Sequence, residues 1–226
     1  MYLDSTYLIV LPAMLIAMWA QFNVKSTFEK YSRVPSDRGI TGYDAARRIL
    51  DMNGLSHIQV VSTPGSLTDH YDPKANVIRL SESVHSARTA AAVGVAAHEA
   101  GHAVQHATGY FPIKIRQAVI PVANLGSNLA MPLFFIGLLL SLPALCTAGI
   151  LFFCGAVFFQ LVTLPVEFNA SNRALAVIRD SGMQGDEGCK VTKKVLTAAA
   201  LTYVAALFVS LANLLRLIAI ANRRRD

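Results

Sequence analysis

His98-Glu99-Ala100-Gly101-His102 lies within a run of small, mostly uncharged residues that begins at Ala90. Alanine is the best helix former, so the sequence predicts an α-helix through this stretch. Residues four apart on a helix are about 6 Å apart along its axis and roughly 40° apart around it. Both imidazoles can therefore reach one Zn²⁺ ion, and Glu99 faces the open side of the metal, where it can act as a general base on water. The pattern predicts a zinc site with His98 and His102 as ligands and Glu99 as the catalytic residue.

A catalytic zinc site needs a third protein ligand. His106 follows His98 by eight residues, which on an unbroken helix places it about 12 Å along the axis and roughly 80° around it. No glycine lies between His102 and His106 to allow the sharp turn that would bring a later histidine to the metal. His106 is therefore interpreted as a surface or supporting histidine. Glu167, the first charged residue after a long apolar stretch, is the better candidate for the third ligand. The alternative interpretation of Glu167 is a residue at a helix N-terminus, where its charge interacts favourably with the helix dipole.

The composition indicates an integral membrane protein. Of the 226 residues, 54% are hydrophobic and 15% are charged, against about 25% charged in soluble domains. The net charge of +6 is better explained by lysines and arginines beside membrane segments than by nucleic-acid binding, because no basic patch interleaved with aromatic residues is present. The three cysteines have no Cys-x-x-Cys spacing and predict no disulfide framework, which suits a reducing compartment.

About four transmembrane helices are predicted from the apolar stretches. Leu3–Phe22 is long enough to span a bilayer and lacks the basic segment of a cleaved signal peptide, so it is interpreted as an anchor. Leu129–Val166 has no charged residue and is long enough for two spans, joined by a bend at 142–149. Val195–Leu215 is the fourth apolar stretch, within a helix that is predicted to start at Val191. The two spans form a hairpin, which returns the third ligand to the side of the histidine pair.

The predicted fold class is a mainly α membrane protein with a small α+β zincin-like domain. The expected order is an N-terminal transmembrane anchor (1–24), a zincin-like catalytic domain with the metal helix (25–117), a transmembrane hairpin (118–166), a third-ligand helix and loop (167–194), and a C-terminal transmembrane helix with a basic tail (195–226). Thr41 and Asp44 predict a capping box that opens a helix over Gly42–Met52. Short antiparallel strands are expected at 58–62, 67–72 and 76–80, and a helix from Glu82 to about Thr108, where Gly109 is expected to end it.

Several segments resemble one protein family. HEAGHAVQH at 98–106 and LPVEFNASNRA at 164–174, with TDHYDP at 68–73 and VIRLS at 77–81, resemble the YugP-like neutral zinc metallopeptidases of bacteria. The resemblance covers nearly the whole chain. It implies a membrane-bound, gluzincin-type metalloendopeptidase with one Zn²⁺ per chain, held by His98, His102 and Glu167, and with Glu99 as the base. Related proteases often carry an aspartate four residues after the ligand glutamate, where this chain has Ser171. The resemblance therefore does not identify a carboxylate that supports the two histidines.

Substrate-binding residues are predicted close to the metal helix. The strand at 76–80, just before that helix, is a candidate edge for pairing with an extended substrate. Asp69, His70 and Tyr71 could line the same cleft. A donor for the developing oxyanion is expected among His70, Tyr71 and Arg173. The simpler interpretation of His70 and Tyr71 is that they support the fold or a turn. The simpler interpretation of Arg173 is a salt bridge near Glu167.

The sequence therefore predicts a membrane metalloendopeptidase that hydrolyses protein or peptide substrates, membrane proteins included, at the surface of the lipid bilayer. Three alternatives stay open. An intramembrane protease would need the histidine pair within a span, and the uncharged run from Thr89 to Ala97 is too short for one. A non-catalytic scaffold or regulator could keep zinc for structure alone. A transporter would need ionisable residues in its spans, where only Arg216 stands out.

The distribution of basic residues predicts the orientation in a bacterial plasma membrane. The segment 167–194 carries five lysines and arginines, whereas the bend at 142–149 carries none. By the positive-inside rule the active site then faces the cytoplasm. The arginines at 223–225 disagree if the last helix crosses the membrane. The sequence predicts no oligomeric state and no particular substrate.

Overall fold

A computed structural model describes residues 6–223 of the chain. The elements are α1 (Tyr7–Tyr31), α2 (Gly42–Met52), β1 (Gln59–Thr63), β2 (His70–Asp72), β3 (Val77–Ser81), α3 (Glu82–His85), α4 (Ala90–Ala107), α5 (Phe111–Leu139), α6 (Pro143–Asp180) and α7 (Asp186–Asn222). Four of these helices, α1, α5, α6 and α7, are long and apolar enough to cross a membrane, in agreement with the four apolar stretches of the sequence. The first residues of the predicted anchor and the end of the basic tail lie outside the described residues.

The chain divides into two compact units. One, the helical unit, comprises the described parts of Met1–Gln21, Pro112–Pro165 and Leu201–Asp226. The other, the mixed unit, comprises Phe22–Phe111 and Val166–Ala200. Helices α1, α6 and α7 each contain residues of both units, and α6 stays helical through Pro165 at the boundary.

The mixed unit is built around α4. Helix α2 begins at the predicted residue, and its capping box is confirmed: the Thr41 hydroxyl accepts from the Asp44 N–H at 3.1 Å, and the Asp44 carboxylate accepts from the Thr41 N–H at 2.8 Å. Helix α2 packs on α4. The core between the elements includes the fully buried Ile49, Leu50 and Leu80.

The sheet differs from the prediction in its pairing. Its order is β1-β3-β2, with β2 antiparallel and β1 parallel to β3. The prediction of antiparallel strands throughout is therefore wrong for β1, and the strand at 76–80 is the central strand rather than an edge. Strand β2 begins only at His70, because Leu67 has a φ of 57°, a left-handed conformation that ends an extended run.

The predicted helix from Glu82 to Thr108 is two helices. Helix α3 ends at His85, and α4 begins at Ala90 after Thr89, whose hydroxyl accepts from the Ala92 N–H at 3.2 Å. A threonine that caps a new N-terminus satisfies a donor that a continuous helix would bond internally. At the other end, Gly109 has a φ of 63° and follows the end of α4, as its sequence predicted.

The hairpin of the helical unit turns at one place. The chain reverses at 140–142, where Ser141 has a φ of 54°, and α6 starts at Pro143. The bend predicted at 142–149 is thus correct at Leu142 and wrong at 147–149, because the latter residues are helical. Helix α6 then continues unbroken for 38 residues. Glu167 is therefore an interior residue of α6 and not the start of a helix, so stabilisation of a helix N-terminus does not explain it.

Helix α7 starts earlier than expected. The sequence predicts its start at Val191, but it begins at Asp186. Asp186 and Glu187 occupy its first turn, where acidic side chains interact favourably with the helix dipole. In the helical unit, Arg216 of α7 donates through Nε to the Thr6 hydroxyl at 3.3 Å, and its guanidinium lies 3.8 Å from the centroid of the Tyr7 ring. The start of α1 and the last part of α7 thus lie at the same end of that unit.

Candidate metal centre

Three side chains from two helices converge in the mixed unit. Glu167 Oε2 of α6 lies 3.2 Å from His98 Nε2 and 3.5 Å from His102 Nε2, both of α4. The three side chains expose only 12%, 11% and 3% of their surface for His98, His102 and Glu167. Within the described residues this is the one group of three or more histidine, cysteine or acidic side chains with ligand atoms all within 4.8 Å of one another. The structure thus brings together the three residues that the sequence predicts as ligands.

The spacing of the three ligand atoms fits a zinc ion. Bonds of about 2.0–2.1 Å to nitrogen and oxygen place two ligands of a tetrahedral ion about 3.3 Å apart. The separations of 3.2 and 3.5 Å agree with two edges of such a tetrahedron. Two imidazoles and one carboxylate leave a fourth position for water or substrate, as in catalytic rather than structural zinc sites.

A close helix contact brings Glu167 to the histidines. A Cβ atom at Gly101 would lie 3.0 Å from the carbonyl oxygen of Ala170, which is tighter than ordinary van der Waals contact. Gly101 and the fully buried Ala100 fill the two middle positions of the His-Glu-x-x-His motif. Small residues there let the backbone of α6 approach α4 closely. The short side chain of Glu167 can then reach both histidines.

Glu99 carries the free carboxylate of the site. The residue is 8% exposed, and within residues 6–223 its side chain forms no hydrogen bond or ion pair. It is the next residue after a ligand on the same helix, so it lies about 100° around the axis from His98. A buried carboxylate with no fixed partner is available to accept a proton, which is what a general base requires.

The second ring nitrogen of each histidine also has a partner. His98 Nδ1 lies 3.1 Å from the Ser171 hydroxyl, so the serine at the position of the family's aspartate contacts a ligand through a neutral group. His102 Nδ1 lies 3.0 Å from Gln105 Oε1. Gln105 was not predicted from the sequence, although its position three residues after His102 on one helix face is a signal that could have identified it.

The charge of Glu167 also acts on His102. Burial alone lowers the pKa of His102, but the interaction with the Glu167 carboxylate and the negative charge of Glu99 outweigh burial, so the pKa lies above its usual value. A histidine that binds a metal must be neutral at the ligating nitrogen. A proton and a metal ion therefore compete for the ligating nitrogen of His102.

Asp69 and His70 have partners close to their own strand. The Asp69 carboxylate accepts from the Ser81 N–H at 2.7 Å and from the Ser81 hydroxyl at 3.1 Å. Burial raises the pKa of Asp69 in spite of these bonds, and the charge of Glu99 adds to the effect. These contacts tie the start of β2 to the end of β3. His70 is exposed, and its Nδ1 lies 2.8 Å from the Thr68 carbonyl.

Tyr71 and His106 contact each other beside α4. Their ring centroids lie 5.4 Å apart in an edge-to-face arrangement, so β2 lies against the metal helix. His106 is seven residues after Glu99, so both project within about 20° of each other around the helix. Strand β2 therefore flanks the face of α4 that carries Glu99.

Arg173 lies on a different face of α6 from the ligand Glu167. Its Nε donates to Asn169 Oδ1 at 2.8 Å, and its guanidinium lies 5.9 Å from the centroid of the Tyr110 ring. The structure thus gives Arg173 an amide and an aromatic partner rather than the predicted ion pair near the third ligand.

Comparison with known proteins identifies the family of the chain. The sequence model of the family described as "Putative neutral zinc metallopeptidase" matches residues 6–222. The chain belongs to this family. It is also 50% identical over 218 residues to "Putative membrane protease YugP" of Bacillus subtilis (strain 168), covering 96% of this chain and 97% of that protein. No solved structure matches this chain.

Proposed function

We propose that the protein is a zinc-dependent metalloendopeptidase of the bacterial plasma membrane. One observation carries this proposal: two imidazoles and a carboxylate from separate helices lie at the spacing of zinc ligands, and the neighbouring Glu99 is buried and unpaired. The family description and the relative's name are consistent with a zinc protease acting at a membrane. The substrates proposed are proteins or peptides, membrane proteins among them.

The residues divide the chemistry between them. Zinc, when bound, lowers the pKa of a coordinated water and polarises the carbonyl of the scissile bond. His98, His102 and Glu167 would hold the ion. Glu99 takes the proton of the attacking water and transfers it to the leaving amine, so that one carboxylate serves as base and then as acid.

The open edge of the sheet next to the metal helix is β2. The Gln59 N–H of β1 donates to the Asn76 carbonyl at 3.2 Å, and Gln59 is paired with Val77 in the parallel ladder. Backbone groups alternate in direction along a strand. The groups of Ile78 therefore also face β1, whereas those of Val77 and Arg79 face β2.

This alternation fixes the direction of the backbone of Tyr71. His70 is paired with Arg79 and Asp72 with Val77, so His70 and Asp72 point their backbone groups toward β3. Tyr71 lies between them, and its N–H and C=O point to the open side of β2. An extended substrate can pair there by strand addition, beside the face of α4 that carries the base. This edge replaces the central strand that the sequence suggested.

Removing the outward N–H should weaken substrate binding. Tyr71→Ala removes only the side chain, whereas Tyr71→Pro also removes the N–H, and proline is tolerated where that N–H faces away from the sheet. One hydrogen bond contributes about 0.5–1.5 kcal/mol, so kcat/KM of Tyr71→Pro should be about 3- to 10-fold below that of Tyr71→Ala. Equal values of kcat/KM, measured with one peptide substrate, would show that the substrate does not pair with β2.

A matched control lies on the opposite edge. Ser62 of β1 is exposed, and by the same alternation its N–H points away from β3. Ser62→Pro should therefore leave kcat/KM unchanged, because that edge is not beside Glu99.

The proposed site lies outside the bilayer core. Helix α4, which carries both histidines, is not among the four described helices that are long and apolar enough to span a membrane. This observation favours a protease acting at the membrane surface over one acting within the bilayer. A multi-pass arrangement of α1, α5, α6 and α7 accounts for the apolar side chains exposed along them, such as Leu8, Leu151 and Phe208.

The proposed orientation places the mixed unit in the cytoplasm. The five basic residues of 167–194 favour this side. Ser66, an exposed residue of the mixed unit, can report on it as Ser66→Cys after the three native cysteines are replaced by alanine. A membrane-impermeant thiol reagent should label it only after protoplasts are permeabilised. Labelling in intact protoplasts would place the site outside the cell.

The function itself is tested by removing the metal. Purified protein in detergent should cleave an unfolded protein substrate, lose that activity after treatment with a zinc chelator, and regain it when Zn²⁺ is added. Cleavage that survives complete zinc removal would contradict the proposal.

A further inference from the structure

Beyond the ligands, a chain of side-chain amides connects His102 to α6. Gln105 is fully buried. Its Oε1 lies 3.0 Å from His102 Nδ1, and its Nε2 donates to the Val166 carbonyl at 2.8 Å and to Asn169 Oδ1 at 3.0 Å. The amide of Gln105 thus uses both ends, one on a metal ligand and one on the helix that supplies the third ligand.

The direction of these hydrogen bonds follows from the groups at the far end. A backbone carbonyl can only accept, so the Gln105 atom that faces Val166 must be the amide nitrogen. The other atom is then the oxygen, which can only accept, so His102 Nδ1 must carry a proton. A neutral imidazole with a proton on Nδ1 has its lone pair on Nε2, the atom that faces Glu167.

A second constraint gives the same direction. The Nε of Arg173 can only donate, so Asn169 presents its oxygen to Arg173 and to Gln105. The Val166 carbonyl can only accept and the Arg173 guanidinium can only donate. Both therefore fix the same orientation of the Gln105 amide. His98 differs, because the hydroxyl of Ser171 can donate or accept and leaves the position of the His98 proton open.

We propose that Gln105 is the positioning residue of the metal centre. It holds the His102 ring with the proton on Nδ1 and the lone pair of Nε2 directed at the metal, and the Val166 carbonyl and the Asn169–Arg173 pair hold Gln105 in turn. This inference rests on the part of the proposed function that assigns zinc to His98, His102 and Glu167. It adds a neutral amide in the place where many zinc sites use a carboxylate.

The test measures zinc affinity without any substrate. Gln105→Met keeps a side chain of similar length in the buried position and removes all three hydrogen bonds of the amide. The zinc dissociation constant, measured by competition with a chelator, should rise about 10- to 100-fold, as is typical when the outer partner of a metal ligand is lost. Asn169→Asp, which keeps an acceptor for both Gln105 and Arg173, should bind zinc like the wild type, whereas Asn169→Leu should bind it more weakly.

A spectroscopic measurement separates orientation of the ring from support of the fold. In zinc-loaded wild-type protein labelled with ¹⁵N-histidine, His102 Nδ1 should carry a proton that exchanges slowly with solvent, and in Gln105→Met that exchange should become fast. Zinc bound to Nδ1 of His102, or a wild-type zinc affinity in Gln105→Met, would overturn the inference. The wild-type spectrum decides the first point even if Gln105→Met does not fold. If the protein binds zinc in this way but cleaves no substrate, the proposed function fails and this inference stands.

Discussion

Glu99→Gln should keep its zinc and lose peptide cleavage. Glutamine has the shape of glutamate and can stay in the buried position beside the ligands, but its amide cannot accept the proton of the attacking water. A positioned base contributes about 10²–10⁴-fold to the rate, so kcat/KM should fall by about 10³-fold. The measurement combines the zinc content of the purified protein with kcat/KM for a peptide substrate.

The control for this variant is another glutamate of the mixed unit. Glu82 is exposed at the start of α3, and Glu82→Gln should change neither zinc content nor cleavage. Wild-type activity in Glu99→Gln would remove the assignment of the base. If wild type and Glu99→Gln both bind zinc and neither cleaves any substrate, the zinc-binding scaffold becomes the better account.

Glu167→Gln should instead lose the metal. The Glu167 carboxylate is the one negatively charged ligand, and the residue is buried. A neutral amide oxygen is a much weaker ligand for zinc. Loss of an outer partner alone typically weakens zinc binding about 10- to 100-fold, so loss of a direct ligand should weaken it by more than about 100-fold. Zinc content after dialysis should fall close to zero, and activity should fall with it, in contrast to Glu99→Gln.

A second glutamate again provides the comparison. Glu187 lies in the first turn of α7, where its carboxylate is 2.6 Å from Lys190 Nζ at the surface. Glu187→Gln should keep full zinc content. A full complement of zinc in Glu167→Gln would mean that the third ligand is another residue.

Local signals in the sequence predicted the parts of the structure that depend on neighbours along the chain. The capping box of Thr41 and Asp44 gave the start of α2, because a cap is a contact between residues three apart. The motif His98–His102 and the glycine at 109 likewise located the metal helix and its end. These features require no knowledge of the rest of the fold.

Features set by distant partners could not be read in the same way. The parallel pairing of β1 with β3 joins Gln59 to Val77 across an intervening strand, and no short-range pattern specifies it. The unbroken course of α6 through Glu167 was also missed, because a change from apolar to polar residues looks like a helix boundary in sequence but here marks only a change of surroundings.

The residues of the metal centre also differ in whether a local sequence pattern predicts them. The two histidines and Glu99 follow from one helical motif, whereas Glu167 is 65 residues beyond His102 and needed the family resemblance as well as its position. The contacts of Gln105 with Val166 and Asn169 depend on how closely α6 approaches α4 at Gly101. Only the packed structure gives that distance.

The most direct test of the zinc centre is X-ray absorption at the zinc edge on purified wild-type protein and on Glu167→Gln. We expect one zinc per wild-type chain, bound by two histidine nitrogens and one carboxylate oxygen at about 2.0–2.1 Å, and no such signal from Glu167→Gln. Zinc–sulfur distances of about 2.3 Å, or the same nitrogen and oxygen shell in both proteins, would contradict the account.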